Sequence, residues 1–260
     1  MDLKLGDVQE TALIPLAVRA METENRARIQ DEKAVEIINA LGIDAAQYDK
    51  FFSHEGVVAR TILLDRSVRS AIKKYPDAVC INLGCGLDNR FSRVDNGKVI
   101  WYDIDLPDSI MVRKKVYEER ERVHMVAGSV LEEQWTADIP KDKKVIIIAE
   151  GLLMYFSKEQ VTELLRIITT AFGEGVFIAE LMHPMMAANS KHHDTIKDTN
   201  AVFGWGTRSG HELEEICPKL KLKQEESLNV IMKKYSIRGR LFNLLPGIRN
   251  MNDRIAVFTF

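Results

Sequence analysis

The chain is expected to fold as an α/β protein around a mostly parallel sheet with an antiparallel last strand. Three observations lead there. Between Ala78 and Leu181, short apolar runs alternate with stretches of helical period, the pattern of strands joined by covering helices. The run "KVIIIAE", residues 144–150, is the most apolar of them and suits a central strand buried on both faces. The closing stretch "NDRIAVFTF", 252–260, reads as a strand with no helix before it long enough for a parallel crossover, so an antiparallel pairing is expected.

Each element follows from its local pattern. Over residues 8–41 apolar side chains recur at helical spacing: Leu13, Leu16, Ala17 and Met21, then Ala34, Ile37, Ile38 and Leu41, with Gly42 as a stop. A second helix runs through "VVARTILLDRSVRSAIKKYP" and ends against Pro76. Residues 1–76 are therefore expected to form an N-terminal helical cap that contributes to a substrate pocket, and 77–260 the core domain. Strands are expected at 78–83, 99–106, 123–130, 144–150 and 175–181. The helix at 157–172 opens with Ser157 and Gln160 in capping-box spacing, then presents Val161, Leu164, Leu165 and Ile168 on one face. "LKLKQEESL", 220–228, reads as a further strand. Residues 183–210 show little periodicity and are expected to be an inserted lid or loop.

Composition narrows the partners. Lys and Arg number 36 against 38 Asp and Glu, a formal net charge of −2, without the basic excess of a phosphate-backbone binder, so nucleic acid is not an expected partner. Three cysteines, Cys80, Cys85 and Cys217, form no CxxC pair and suit a reducing compartment. The N-terminus has no unbroken apolar h-region, and the longest aliphatic run, "VIIIA", is too short to span a bilayer. A cytoplasmic protein off the membrane is expected. His192, His193 and Asp194 have the composition of a metal site, but adjacent ligands on a loop do not make one, and no metal is expected. Nothing in the chain sets an oligomeric state.

The most informative stretch is "INLGCGLDNRF", 81–91. A strand runs into Gly84-Cys85-Gly86, where missing β-carbons let a ligand approach the main chain. In an open parallel sheet ligands lie beyond the carboxyl ends of the strands, and an acid at the end of the second strand commonly accepts hydrogen bonds from a ribose. "WYDIDLP" offers Asp103 and Asp105, of which Asp105 is nearer the strand end. Asn89 stands where a dinucleotide site wants its third glycine, and Asp88 would repel a pyrophosphate. A carboxylate there tolerates a cofactor with a cationic end, such as S-adenosylmethionine.

"NLGCGLDNRF", "WYDIDLP", "EGLLMYF" and the upstream "ETALIPLAVRA" together resemble the leucine carboxyl methyltransferase family, closest to its bacterial, polyketide-type O-methyltransferase branch. The resemblance covers residues 8–181, with a weaker echo at "SGHELEEI". It implies a class I, Rossmann-like methyltransferase fold that uses S-adenosylmethionine. It further implies that Arg60 sits against the methionine carboxylate of the cofactor and that Gly84, with Gly86, lies under it. Asp105 would hold the ribose, Ser129 and Val130 flank the adenine, and Glu150 stand beside the methionine moiety. Arg19 aligns loosely with a basic residue that reaches the cofactor. Cys85 and Asn89 depart from the family's usual Ala and Thr.

Each assignment has a plainer counterpart. Arg60 would also serve as a surface ion-pair partner, Asp105 as a cap, and Glu150 as a strand-end acceptor of backbone N–H groups. Yet a carboxylate behind five apolar residues is costly to bury alone, which favours a cationic partner for Glu150. Tyr155, a candidate catalytic residue, and Met154 are candidates for lining the cofactor edge, or else for packing at a helix start. His183, at the end of "ELMHP", is a candidate general base for a hydroxyl acceptor, or else a structural histidine. The expected partner is a small-molecule methyl acceptor bearing a carboxylate or hydroxyl. A sulfur or nitrogen acceptor, a protein C-terminal carboxylate, a nicotinamide-dependent oxidoreductase and a non-catalytic binder are the alternatives.

Overall fold

The computed structural model describes residues 12–26, 28–188, 202–235, 240–241, 244 and 251–260. Expectations that fall on residues 8–11 and on 189–201, the His192–Asp194 group among them, lie outside the described residues.

The N-terminal helical run is broken rather than continuous. Helix α1, Leu13–Met21, passes into one turn of π-helix, Glu22–Arg26, and α2, Glu32–Leu41, restarts at Asp31. Asp31 caps α2 by accepting the Ala34 N–H at 3.1 Å. A 24-residue helix follows, α3, Phe51–Lys74. The strands are β1 Val79–Leu83, β2 Ile100–Asp105, β3 Val123–Ala127, β4 Val145–Ala149, β5 Gly175–Leu181, β6 Lys221–Ser227 and β7 Arg254–Thr259. Between them lie α4 Arg90–Val94, α5 Pro107–Arg113, α6 Lys158–Ala171, α7 Pro184–Ala188, α8 His211–Ile216 and α9 Asn229–Tyr235. The Ser157–Gln160 capping box is formed on α6 in both directions.

The sheet order is β3-β2-β1-β4-β5-β7-β6. The first five strands pair in parallel, and β7 lies antiparallel between β5 and β6. The expected antiparallel last strand is therefore present. β7 is a buried interior strand, and the charged β6, "KLKQEES", takes the edge, where charge discourages pairing with another chain.

Strand side chains alternate between the faces. Val79, Ile81, Ile147, Phe177 and Ala179 meet Val161, Leu164, Leu165 and Ile168 of α6 on one side. Cys80, Ile146, Ile148, Val176 and Ile178 meet Leu63, Leu64, Val68 and Ile72 of α3, with Ile231 and Met232 of α9, on the other. The 1–76 segment thus contributes in two ways. α3 is a covering layer of the sheet, while α1 and α2 form a smaller core with Leu87 and Val112 over the glycine turn.

The region expected as a lid is built in part from regular contacts. The Gly204 N–H donates to the Met154 carbonyl at 2.8 Å, and the Thr207 N–H to that of Met182 at 2.8 Å. A Cβ on Gly206 would stand 2.8 Å from the Met182 carbonyl oxygen, so this close approach of two backbones needs a glycine.

Candidate active site

β1 ends in Gly84, whose φ of +62° turns the chain out of the sheet; a Cβ there would also meet Leu152 Cδ1 at 2.9 Å. Asp105, expected to hold a ribose, also ties down this turn. The Asp105 carboxylate accepts the Gly86 N–H at 2.7 Å and the Leu106 N–H at 2.8 Å. Asp103 is occupied elsewhere: it accepts from Asn82, Trp101 and Arg113 at 3.1, 2.9 and 2.7 Å, deep in the fold. Burial raises the Asp105 carboxyl above the usual carboxylate range, against the pull of the two backbone N–H groups.

A cavity of about 720 Å³ opens at the carboxyl ends of β1, β2, β4 and β5. Arg19, Arg60, Gly84, Gly86, Asp105, Ser129, Val130, Glu150 and Tyr155 all line it. β3 stops at Ala127, earlier than expected, and this frees Ser129 and Val130 to reach the cavity. His183 does not line it. Its ring Nδ1 accepts the Met185 N–H at 3.3 Å, at the start of α7. Burial, then Arg254 and Arg208, lower its pKa. The expected base position is thus turned to holding a helix start.

Beneath the cavity lies an ion-pair network that sequence reasoning missed. Glu150 meets Arg60 Nε at 2.8 Å and Arg90 at 2.6 Å, so its cationic partners belong to the chain itself. Burial alone would raise its pKa; Arg90 and Arg60 overcome that and hold it low. Arg90 reaches Asp65 at 2.9 Å and Asp88 at 3.0 Å, and Arg93 joins Asp31, Asp65 and Asp88 at 3.0, 2.8 and 2.9 Å. Asp88 is therefore no free charge awaiting a cationic ligand. Burial is overcome by Arg90, Arg93 and Arg19, and its pKa lies well below the carboxylate range. Arg19 donates to Asp31 at 2.9 Å and to the Leu87 carbonyl at 3.1 Å, holding the glycine turn from above. Arg60 also stands 3.5 Å from Glu180. Glu180 closes an apolar run in "VFIAEL" just as Glu150 does in "VIIIAE", a signal present in the chain that the sequence reading left unused. Asp253, which also lines the cavity, has no such signal in "NDRI".

The leucine carboxyl methyltransferase family model matches residues 12–169, more than half of the chain. The chain belongs to that family. Among curated relatives, the tetracenomycin polyketide synthesis O-methyltransferase TcmP of Streptomyces glaucescens is 29% identical over 229 residues, covering 87% of this chain and 85% of the relative. The S-adenosyl-L-methionine-dependent methyltransferase dpfgK of Gibberella zeae is 26% identical over 245 residues, covering 85% and 82%. Magnesium protoporphyrin IX methyltransferase (ChlM) from Synechocystis, solved with bound SAH, superposes with a TM-score of 0.53 at 11% identity over 88% of this chain and 99% of that one. This likeness shows the class I methyltransferase fold. The family member described here is an S-adenosylmethionine-dependent methyltransferase. Its site fits the cofactor: a Cβ-free turn tied to a strand-end carboxylate opens on a cavity lined in part by charged groups.

Proposed function

We propose that this enzyme moves a methyl group from S-adenosylmethionine to an oxygen of an apolar small molecule. The observation that carries this reading is one cavity lined by two unlike sets of side chains. Gly84, Asp105, Arg60 and Glu150 bring a bare turn and charge; Met154, Met182, Met186 and Phe203, packed together, bring an apolar surface. Methionine and aromatic side chains adapt to an irregular apolar guest. The names of the curated relatives point the same way, one of them an O-methyltransferase of polyketide synthesis.

In this reading Asp105 accepts hydrogen bonds from the ribose, Ser129 and Val130 border the adenine, and Arg60 faces the methionine carboxylate. Glu150 fixes Arg60 through their 2.8 Å pair, and Arg19 acts from behind by holding the Leu87 carbonyl. Tyr155, its ring 5.4 Å from that of Phe203, walls the acceptor end. When bound, the cofactor supplies a methyl carbon made electrophilic by its sulfonium. The protein's part is alignment of the acceptor oxygen and exclusion of water.

The reading is tested by titrating the protein with S-adenosylhomocysteine in a calorimeter, then offering labelled S-adenosylmethionine with an organic extract of metabolites. Binding followed by label in an apolar product is expected. A folded protein that binds neither nucleoside overturns it.

A further inference from the structure

Glu150 and Glu180 both line the cavity, and they are not equally taken. Both carboxylate oxygens of Glu150 meet arginines, Oε1 with Arg60 Nε at 2.8 Å and Oε2 with Arg90 at 2.6 Å. Glu180, 1% exposed, uses Oε2 for the Gly151 N–H at 2.8 Å and for Arg60 Nη1 at 3.5 Å. Those contacts leave its Oε1 for the cavity. A third acid stands beside it. Glu180 pairs with Ile255 across β5 and β7, and strand residues two apart share a face, so Asp253 comes to its diagonal neighbour position. The Asp253 carboxylate accepts the His183 backbone N–H and also lines the cavity.

The charged and titratable groups around this pair are Arg60 from α3, Glu150 beyond β4, the His183 ring beyond β5 and Arg254 on β7. Tyr155 faces Arg60, and Arg208 faces His183. Arg254 is drawn to Glu225 at 2.6 Å, and Arg60 is already shared with Glu150. Positive charge is therefore short where Glu180 and Asp253 meet. Burial, then Glu180, push Asp253 up to about 8, and burial raises Glu180 as well, against the pull of Arg60 on both. At neutral pH the free protein keeps one proton on the pair, as expected of two close carboxyls that resist ionising together. That proton stands in for a cation.

We propose that Glu180 and Asp253 together hold the α-ammonium of S-adenosylmethionine, which displaces to solvent the proton that the two carboxyls share in the free protein. The assignment rests on the methyl-transfer reading above and names how its site holds the amino-acid end of the cofactor. A zwitterion needs a cation and an anion side by side. Arg60 and Glu180, 3.5 Å apart, supply them, Arg60 for the carboxylate and the acid pair for the ammonium. Glu150 does not take that part, because its two oxygens are spent on Arg60 and Arg90. An ammonium offers three N–H donors, and two carboxylates on one cavity wall give it charged acceptors. With that positive charge in place both carboxyls ionise, so binding of the cofactor is linked to loss of a proton.

The test uses the whole protein and two ligands. S-adenosylhomocysteine carries the same amino-acid end as the cofactor; 5′-S-(3-carboxypropyl)-5′-thioadenosine keeps its carboxylate and lacks only the ammonium. Calorimetric titration at pH 7 in two buffers of different ionisation enthalpy counts the protons exchanged. The wild type is expected to release about one proton per S-adenosylhomocysteine bound and none with the analogue. It should hold the analogue roughly tenfold to a hundredfold more weakly. Its affinity for S-adenosylhomocysteine should rise about tenfold from pH 6 to pH 7, because binding sheds a proton. Asp253→Asn should release no proton, lose that pH dependence and bind the analogue within about threefold of the wild type, since the ammonium contact alone is removed. The same control removes any share from the His183 ring, which burial, Arg254 and Arg208 push below its usual value. A wild type that binds S-adenosylhomocysteine without releasing a proton, or that holds the analogue as tightly, overturns the proposal with no variant needed. Proton release that persists in Asp253→Asn overturns it as well, and so does a folded variant that loses both ligands alike. A wild type that binds neither ligand brings down the methyl-transfer reading itself, whereas one that binds both equally well removes only the ammonium assignment.

Discussion

Asp103 and Asp105 lie two residues apart on one strand, and their surroundings give them different work. Asp103 is consumed by Asn82, Trp101 and Arg113, while Asp105 reaches the cavity and accepts from the Gly86 and Leu106 N–H groups and the Ser109 side chain. Hydrogen bonds to a charged group are worth about 1.5–3 kcal/mol, so Asp105→Ala should weaken S-adenosylhomocysteine binding roughly tenfold to a hundredfold. Calorimetry reads this, with a urea midpoint alongside to separate loss of the Gly86 bond from loss of the ligand. Unchanged affinity would remove the ribose role. At Gly206 the constraint is steric. A β-carbon 2.8 Å from the Met182 carbonyl oxygen cannot be absorbed by a side-chain rotation, so Gly206→Ala should cost about 1–3 kcal/mol in chemical unfolding. A neutral result would mean that the segment docked on Met182 is free to shift.

At the level of elements, the joint between α1, α2 and α3 is held by charge. His54 of α3 lies 2.6 Å from Glu22, and Arg28 bridges Glu22 and Glu55 at 2.5 and 3.0 Å. Burial would raise Glu22, but His54 and Arg28 bring it down from 4.5 to about 2. A depressed carboxyl stabilises the fold above its unfolded pKa and loses that share as the pH falls through the folded one. Glu22→Gln should therefore flatten the acid limb of the stability curve between pH 4.5 and about 2. Parallel limbs for the two proteins would show that Glu22 does not couple to folding. This joint was not legible in the chain. The periodicity over 8–41 suggested one helical run, because the polar residues that break it work through distant partners: Asp31 is claimed by Arg19 and Arg93. The start of α6 was legible, since the Ser157–Gln160 box is a local interaction closed within one turn.

Across the whole molecule the two-faced sheet dominates, and β7 is its least local member. Phe258 is fully buried, pairs with Phe177 on β5 at 6.1 Å between ring centres, and faces Leu222 on β6. Phe258→Ala should cost about 3–5 kcal/mol, measured by urea unfolding; a loss near zero would mean that β7 does not clamp the sheet's far half.

Read alone, the chain determined the order of strands and helices, the antiparallel sense of its last strand, and the presence of a glycine turn after β1 and an acid near the end of β2. Those features are written in periodicity, apolar runs and turn residues, which act over a few neighbouring positions. Tertiary structure decided which arginine neutralises which carboxylate, that His183 turns to α7, and that Asp253 comes beside Glu180. Each of these depends on side chains far apart in the chain that meet only when β5 receives β7 and α3 covers the sheet, and charge balance in a buried site is a property of that whole set.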